Sequence, residues 1–346
     1  MYCFSEPMKP RRPQDAPSAP QFSYRQPVRS SFVWWLRMVG IAVFVTILAV
    51  QLSRSQDVHL ARFDVRWLGV CMLLTVAQLL LEAAVWQWLL WAQRIRHPYP
   101  KTFVASLASQ YLGLVTPGHV GEFLAAGYIS MNTGMTFGYA LSSVVMKKTL
   151  FWIAILGFGV LGLPLLADMP FLQGMQQIAS TSAIALVVLS AGAAIWVVSL
   201  RRLTRKWERL SPWQIEMTEF WSGMRHLYSL ELIIPLALAA VAFSLLFVQL
   251  DAILRSLGLV LPFLLIVRIV ALSRLAARLG PLSVVGLGTK DVAVILLLSQ
   301  QGIRPAIGMT AVLLLLVGSY LVTLLLSGMC WRIKPLVIRR LEPSSS

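Results

Sequence analysis

The chain is predicted to be an all-α polytopic integral membrane protein, with about six full spans plus two re-entrant broken-helix hairpins in an inverted-repeat architecture. Two observations carry this. Hydrophobic residues make up 58% of the 346 positions and charged residues 13%, with several apolar runs near the roughly 20 residues that a bilayer crossing needs. Two of the apolar stretches are broken by similar glycine- and proline-containing segments, each carrying one carboxylate.

The first break reads Thr116-Pro117-Gly118-His119-Val120-Gly121-Glu122, and the second runs from Pro281 through Gly286, Gly288 and Lys290 to Asp291. Each is followed by an apolar stretch and then by a related segment, Gly134 to Ala140 in one case and Gly302 to Gly308 in the other, offset by 168 residues. Paired interruptions of this kind are a common trace of a transporter's binding site.

Full spans are expected at roughly 32–52, 67–93, 137–165, 179–200, 230–250 and 306–329, with broken regions at 102–133 and 259–301. The first repeat centres on 102–165 and the second on 259–329, within one transmembrane domain covering 32–329. Residues 1–31, rich in proline and basic residues, read as a disordered cytoplasmic tail rather than a signal peptide, and 330–346 as a second basic tail. The linking segment 201–229 is basic and aromatic, and is expected to form an amphipathic helix attracted to anionic lipid.

A net charge of +16 would suggest nucleic acid in a soluble protein. Here orientation accounts for most of it. With both termini in the cytoplasm of a bacterial inner membrane and each hairpin returning to its own side, inside segments hold 19 Lys or Arg and outside segments 5. The first hairpin then opens inward and the second outward. Nucleic acid is not expected as a partner; the membrane and an anionic lipid are, and assembly into a homo-oligomer is left open. No segment is long and polar enough for a separate catalytic domain. The scattered His59, His97, His119 and His226, and the isolated Cys3, Cys71 and Cys330, give no metal or cofactor signature.

Charged residues inside the bilayer cost about 2.5–3.5 kcal/mol each on insertion scales, so those present need partners or a wet cavity. Lys147 and Lys148 fall near mid-span and point about 100° apart on a helix. They read either as anion-binding cations lining a cavity or as partners of Glu82 or Glu122. Glu82 shares a helix face with Gln78 and is a candidate coupling-ion or proton site. Arg268, Arg274 and Arg278 are expected to face protein or a polar vestibule, or to snorkel. At the breaks, Pro117 and Pro281 end the preceding half-helices. Gly118, Gly121, Gly286 and Gly288 let backbone approach a ligand. The half-helices that follow expose N–H groups that favour anions. Glu122 and Asp291 are candidate caps or proton carriers there, with His119 and Lys290 beside them.

The stretch from Trp88 through Tyr111-Leu112-Gly113 to Pro117-Gly118-His119-Val120-Gly121-Glu122 resembles the flippase-like membrane domain of bacterial lysylphosphatidylglycerol synthases, which also has stand-alone relatives. Pro117, Gly118, Gly121 and Glu122 match its first motif. Pro281, Ser283, Gly286, Gly288 and Asp291 match its second, with Asp for Glu. Lys147 or Lys148 falls where that family places a basic residue. The family's Arg after the first motif is replaced near Ala125 and Ala126, and Val285 stands where Gly is usual.

The resemblance implies a lipid flippase or transporter rather than an enzyme. An anionic phospholipid or polyprenyl-phosphate lipid would sit between the hairpins, held by Lys147, Lys148 or Lys290. The alternatives are a polytopic transferase using Asp57 and Asp64 as acids, and a scaffold for a soluble partner.

Overall fold

The computed structural model describes residues 63–115, 121–167, 211–227, 232–279 and 289–333. The expected spans at 32–52 and 179–200, most of both breaks, and the two tails lie outside these residues. Among the described residues every regular element is helical: α1 Val65–Ala92, α2 Tyr99–Val115, α3 Leu124–Thr133, α4 Phe137–Ala167, α5 Ser211–Leu227, α6 Ile233–Ser256, α7 Phe263–Leu279, α8 Thr289–Gln300, α9 Pro305–Leu315, a π-helical turn Leu316–Leu321, and α10 Val322–Ile333.

Four of these are long and apolar enough to cross a bilayer: Val65–Ala92, Phe137–Gly162, Ile233–Ser256 and the continuous Pro305–Ile333. They coincide with four of the expected spans. The third runs six residues further than the sequence suggests. Asp251 and Arg255, which lie beyond the expected end of the span, pair within the helix at 2.8 Å (Nε to Oδ2), and Arg255 lies over the Trp67 ring. Charges at a helix end that satisfy each other do not terminate it.

Helices α1 and α6 form the central seam. The Asp64 N–H donates to the Ser256 carbonyl at 3.1 Å, which sets the start of α1 beside the end of α6. Asp64 also caps α1, its Oδ1 accepting from the Arg66 N–H at 3.0 Å, a structural use for a residue considered above as a catalytic acid. The largest apolar core lies where α6, α7, α8 and α9 meet, with Phe243, Phe247 and Phe158 stacked and edge-on.

α4 joins the two halves. Near its start it packs on α3 and α5, and near its end on α7, where Gly159 faces Leu275 and Gly162 faces the Arg268 carbonyl. Between α7 and α8 lies the second break, and these two helices pack on each other.

Segment 201–229 does contain a helix, but protein covers much of it. The Gly138 N–H at the start of α4 donates to the Glu216 carboxylate of α5, and Gly223 of α5 lies against Ser142. Met224 and Leu227 are buried with Val85 and Leu89 of α1. Within the described part of this segment, small residues at 138 and 223 let α5 dock on α4.

Candidate functional site

The polar cluster nearest the first break is assembled from α1, α2, α3 and α4. Trp86, nearly fully buried, donates its indole N–H to Ser143 Oγ at 3.0 Å, which pins α1 to α4. Lys147 follows Ser143 by one turn and so shares its face. Its ammonium donates to Ser106 Oγ of α2 at 3.0 Å and lies 5.9 Å from the centre of a Trp86 ring. Glu82 and Glu122 are within electrostatic reach. No carboxylate among the described residues is within ion-pair distance of Lys147.

Lys148 takes the other direction. Its ammonium sits 2.7 Å from Glu122 Oε2 and 5.3 Å from the centre of the Phe123 ring. The two side chains of this pair are 31% and 25% exposed, so it lies at a partly open edge. Glu122 is placed by two close approaches of backbone. Gly121 packs on the Leu112 carbonyl group, and a Cβ on Gly113 would come 2.6 Å from Glu122 Cγ. The end of α2 and the turn before α3 are thereby pressed together, as a short interruption requires.

A cleft lies between these groups. Trp86, Val144 and Ala125 give it apolar lining; Ser106, Ser109, Glu122, Lys147 and Lys148 give it polar lining. Chemically it offers a cation with a hydroxyl beside it and an ion pair at its edge, enclosed by an aromatic ring and small side chains. That combination suits an anionic group brought in from an apolar surrounding.

Among the predicted site residues, Lys147, Lys148 and Glu122 come together here. Glu82 joins indirectly, since Gln110 of α2 donates to its Oε2 at 2.7 Å. Gly121 shapes the turn. Glu122 lies two residues before α3, with Phe123 at the cap position, and directs its carboxylate to Lys148. Lys290 and Asp291 occupy the first turn of α8 and do not line this cleft; Arg274 of α7 is in electrostatic reach of Lys290. Gly118, His119, Gly286 and Gly288 lie outside the described residues. Of the arginines of α7, Arg268 is half-buried with its Nε unpartnered among the described residues.

Sequence reasoning missed Trp86, Ser106 and Ser109, and named Gly113 only as part of the resembling stretch. A signal existed for the serines: Ser106 and Ser109 stand three apart, placing two hydroxyls on one face of an apolar helix. Ala125, standing near the usual Arg of the related motif, is 2% exposed and belongs to the apolar cluster of Trp86 and Leu90 beside the cleft.

The family model described as the lysylphosphatidylglycerol synthase TM region matches residues 34–327. No curated protein and no solved structure matches the chain. The matched region covers both breaks, the lysine pair and, among the described residues, three of the apolar helices long enough to cross a bilayer together with most of the fourth, Pro305–Ile333. The chain belongs to the lysylphosphatidylglycerol synthase transmembrane-region family.

Proposed function

We propose that the protein moves a lipid with an anionic headgroup, a phospholipid or a polyprenyl-phosphate-linked lipid, across the bacterial inner membrane by alternating access. The observation that carries this reading is Lys147. An ammonium in a helix long enough to span the bilayer is costly unless a counter-charge or water meets it. Lys147 has Ser106, the face of Trp86 and a cleft, while its neighbour Lys148 takes the adjacent carboxylate. An anionic headgroup would supply the counter-charge, and the acyl or prenyl chains would stay in the surrounding lipid.

Re-entrant hairpins opening to opposite faces, with both termini cytoplasmic, fit the 19 to 5 distribution of basic residues. In this reading Lys290 and the first turn of α8 offer the second, outward-opening contact. The transferase alternative loses support at Asp64, whose carboxylate caps α1.

Leaflet exchange of a labelled anionic phospholipid and of a labelled polyprenyl phosphate, measured in proteoliposomes, tests the reading. Lys147→Met is expected to slow exchange at least tenfold for whichever lipid is carried. Exchange at the wild-type rate in Lys147→Met and in a Lys147→Ala/Lys148→Ala double variant would overturn it.

A further inference from the structure

Glu82, near the middle of α1, is surrounded by carboxamides. Gln78, one turn earlier, donates to Glu82 Oε1 at 3.0 Å, and Gln110 of α2 donates to Oε2 at 2.7 Å. Gln249 of α6, fully buried, donates to Gln78 Oε1 at 2.9 Å. This direction is forced by chemistry. A carboxylate only accepts, so Gln78 and Gln110 turn their nitrogens toward it, and the oxygen of Gln78 then receives the nitrogen of Gln249. The consequence is visible at both ends of the chain: Gln110 Oε1 and Gln249 Oε1 are buried with no donor among the described residues. Buried acceptors left this way are rare and call for an explanation.

We propose that this cluster binds a monovalent alkali cation, taken here as Na+, with Glu82 supplying the charge and the amide oxygens of Gln78, Gln110 and Gln249 turning inward as ligands. Hard oxygen donors suit such an ion. One carboxylate balances one positive charge, so the loaded site is neutral, as a membrane interior favours. A divalent ion would leave an uncompensated charge. Among the described residues there is also no group of three His, Cys, Asp or Glu to hold one.

The terminal torsion of a glutamine is soft and roughly two-fold, so turning oxygen for nitrogen needs no backbone movement. The loaded arrangement would satisfy the two oxygens left without donors here. Its ligands come from α1, α2 and α6, so occupancy would tie the central seam to the helix that carries Ser106.

Lys147 is a cation within electrostatic reach of Glu82, and it opposes a second positive charge there. An anion on Lys147 would lift that opposition. Cation and headgroup would then each raise the other's affinity by the same factor. This coupling rests on the headgroup reading above; the cation site itself does not.

The test is binding of radioactive Na+ to the full-length protein in nanodiscs of zwitterionic lipid, with choline holding ionic strength constant. Saturable binding is expected, weakened at least tenfold in Glu82→Gln and several-fold in Gln249→Met and Gln110→Met. Gln110→Met decides the matter if Glu82→Gln does not fold. Absence of saturable Na+ binding in the wild type overturns the proposal, as does wild-type affinity in these variants. Anionic phospholipid added to the nanodisc should tighten Na+ binding in the wild type and leave Lys147→Met unchanged. Na+ binding that ignores both the lipid and Lys147→Met would sink the headgroup reading while leaving the cation site standing.

Discussion

Lys148 Nζ stands 2.7 Å from Glu122 Oε2, joining α4 to the turn that precedes α3, while adjacent Lys147, among the described residues, meets the Ser106 hydroxyl at a comparable distance. Neighbouring residues on a helix diverge by about 100°, so one lysine can secure the fold while the other faces the cleft. The Lys148 contact holds the first break in place. The Lys147 contact leaves most of a positive charge for something else.

Removing one partner of the Lys148–Glu122 pair strands the other. Both side chains are a quarter to a third exposed, so the loss stays below the 3–5 kcal/mol of a fully buried pair, at about 1–2 kcal/mol for Lys148→Met or Glu122→Gln. The double variant should lose less than the sum of the two. Thermal unfolding in detergent, run as a double-mutant cycle, checks this, and strictly additive losses would argue against the pair.

Gly113 sets where Glu122 can lie. A methyl group there would sit 2.6 Å from Glu122 Cγ and push the carboxylate off Lys148. Gly113→Ala should cost about 1–3 kcal/mol as an overpacked site. Gly157→Ala is the control, because nothing lies within 4 Å of a Cβ at that helical position. It should be neutral or stabilising by up to about 1 kcal/mol. Equal destabilisation of the two would mean that Gly113 acts through helix propensity and not through Glu122.

The apolar helices were legible because lipid imposes a length: 67–93, 137–165 and 306–329 each lie within a few residues of the helices observed. So was the divergence of Lys147 and Lys148, and the shared face of Gln78 and Glu82, since helical geometry fixes both. What the sequence hid was tertiary. Gln249 lies 171 positions from Gln78, and no periodicity relates them. Gly113 earns its place only because Glu122 folds back onto it, and Ser106 only because Lys147 reaches it from another helix. The docking of α5 was hidden in the same way: basic residues at 201–206 dominate the composition of segment 201–229, whereas the contacts of α5 come from Glu216, Gly223 and Leu227.

The docking of α5 gives a second kind of prediction. Glu216 accepts from the Gly138 N–H in the first turn of α4, a carboxylate at the positive end of a helix. Glu216→Gln should weaken this by about 0.5–1 kcal/mol and leave the docking in place. Gly138→Ala is harsher, since its methyl would meet the Glu216 carbonyl. That variant should release α5 from α4 and expose residues around Arg225 to trypsin. Unchanged cleavage in Gly138→Ala would show that α5 is held by other contacts.

The π-helical turn Leu316–Leu321 interrupts the last long helix where it crosses α1. Such turns displace a carbonyl from the regular ladder, and here the Gly318 carbonyl accepts from Thr75 Oγ1 at 3.1 Å. A Cβ on Gly318 would come 2.9 Å from Cys71 Sγ and 3.4 Å from Cys71 Cβ. Cys71 is fully buried and cannot swing away. Gly318→Ala should therefore destabilise by about 1–3 kcal/mol through overpacking. Cys71→Ala removes the sulfur that the new methyl meets, so the double variant should recover about 1 kcal/mol relative to the sum of the singles. Unfolding midpoints of the four proteins decide the matter. A coupling indistinguishable from zero would mean that the helices separate at Gly318 instead of clashing.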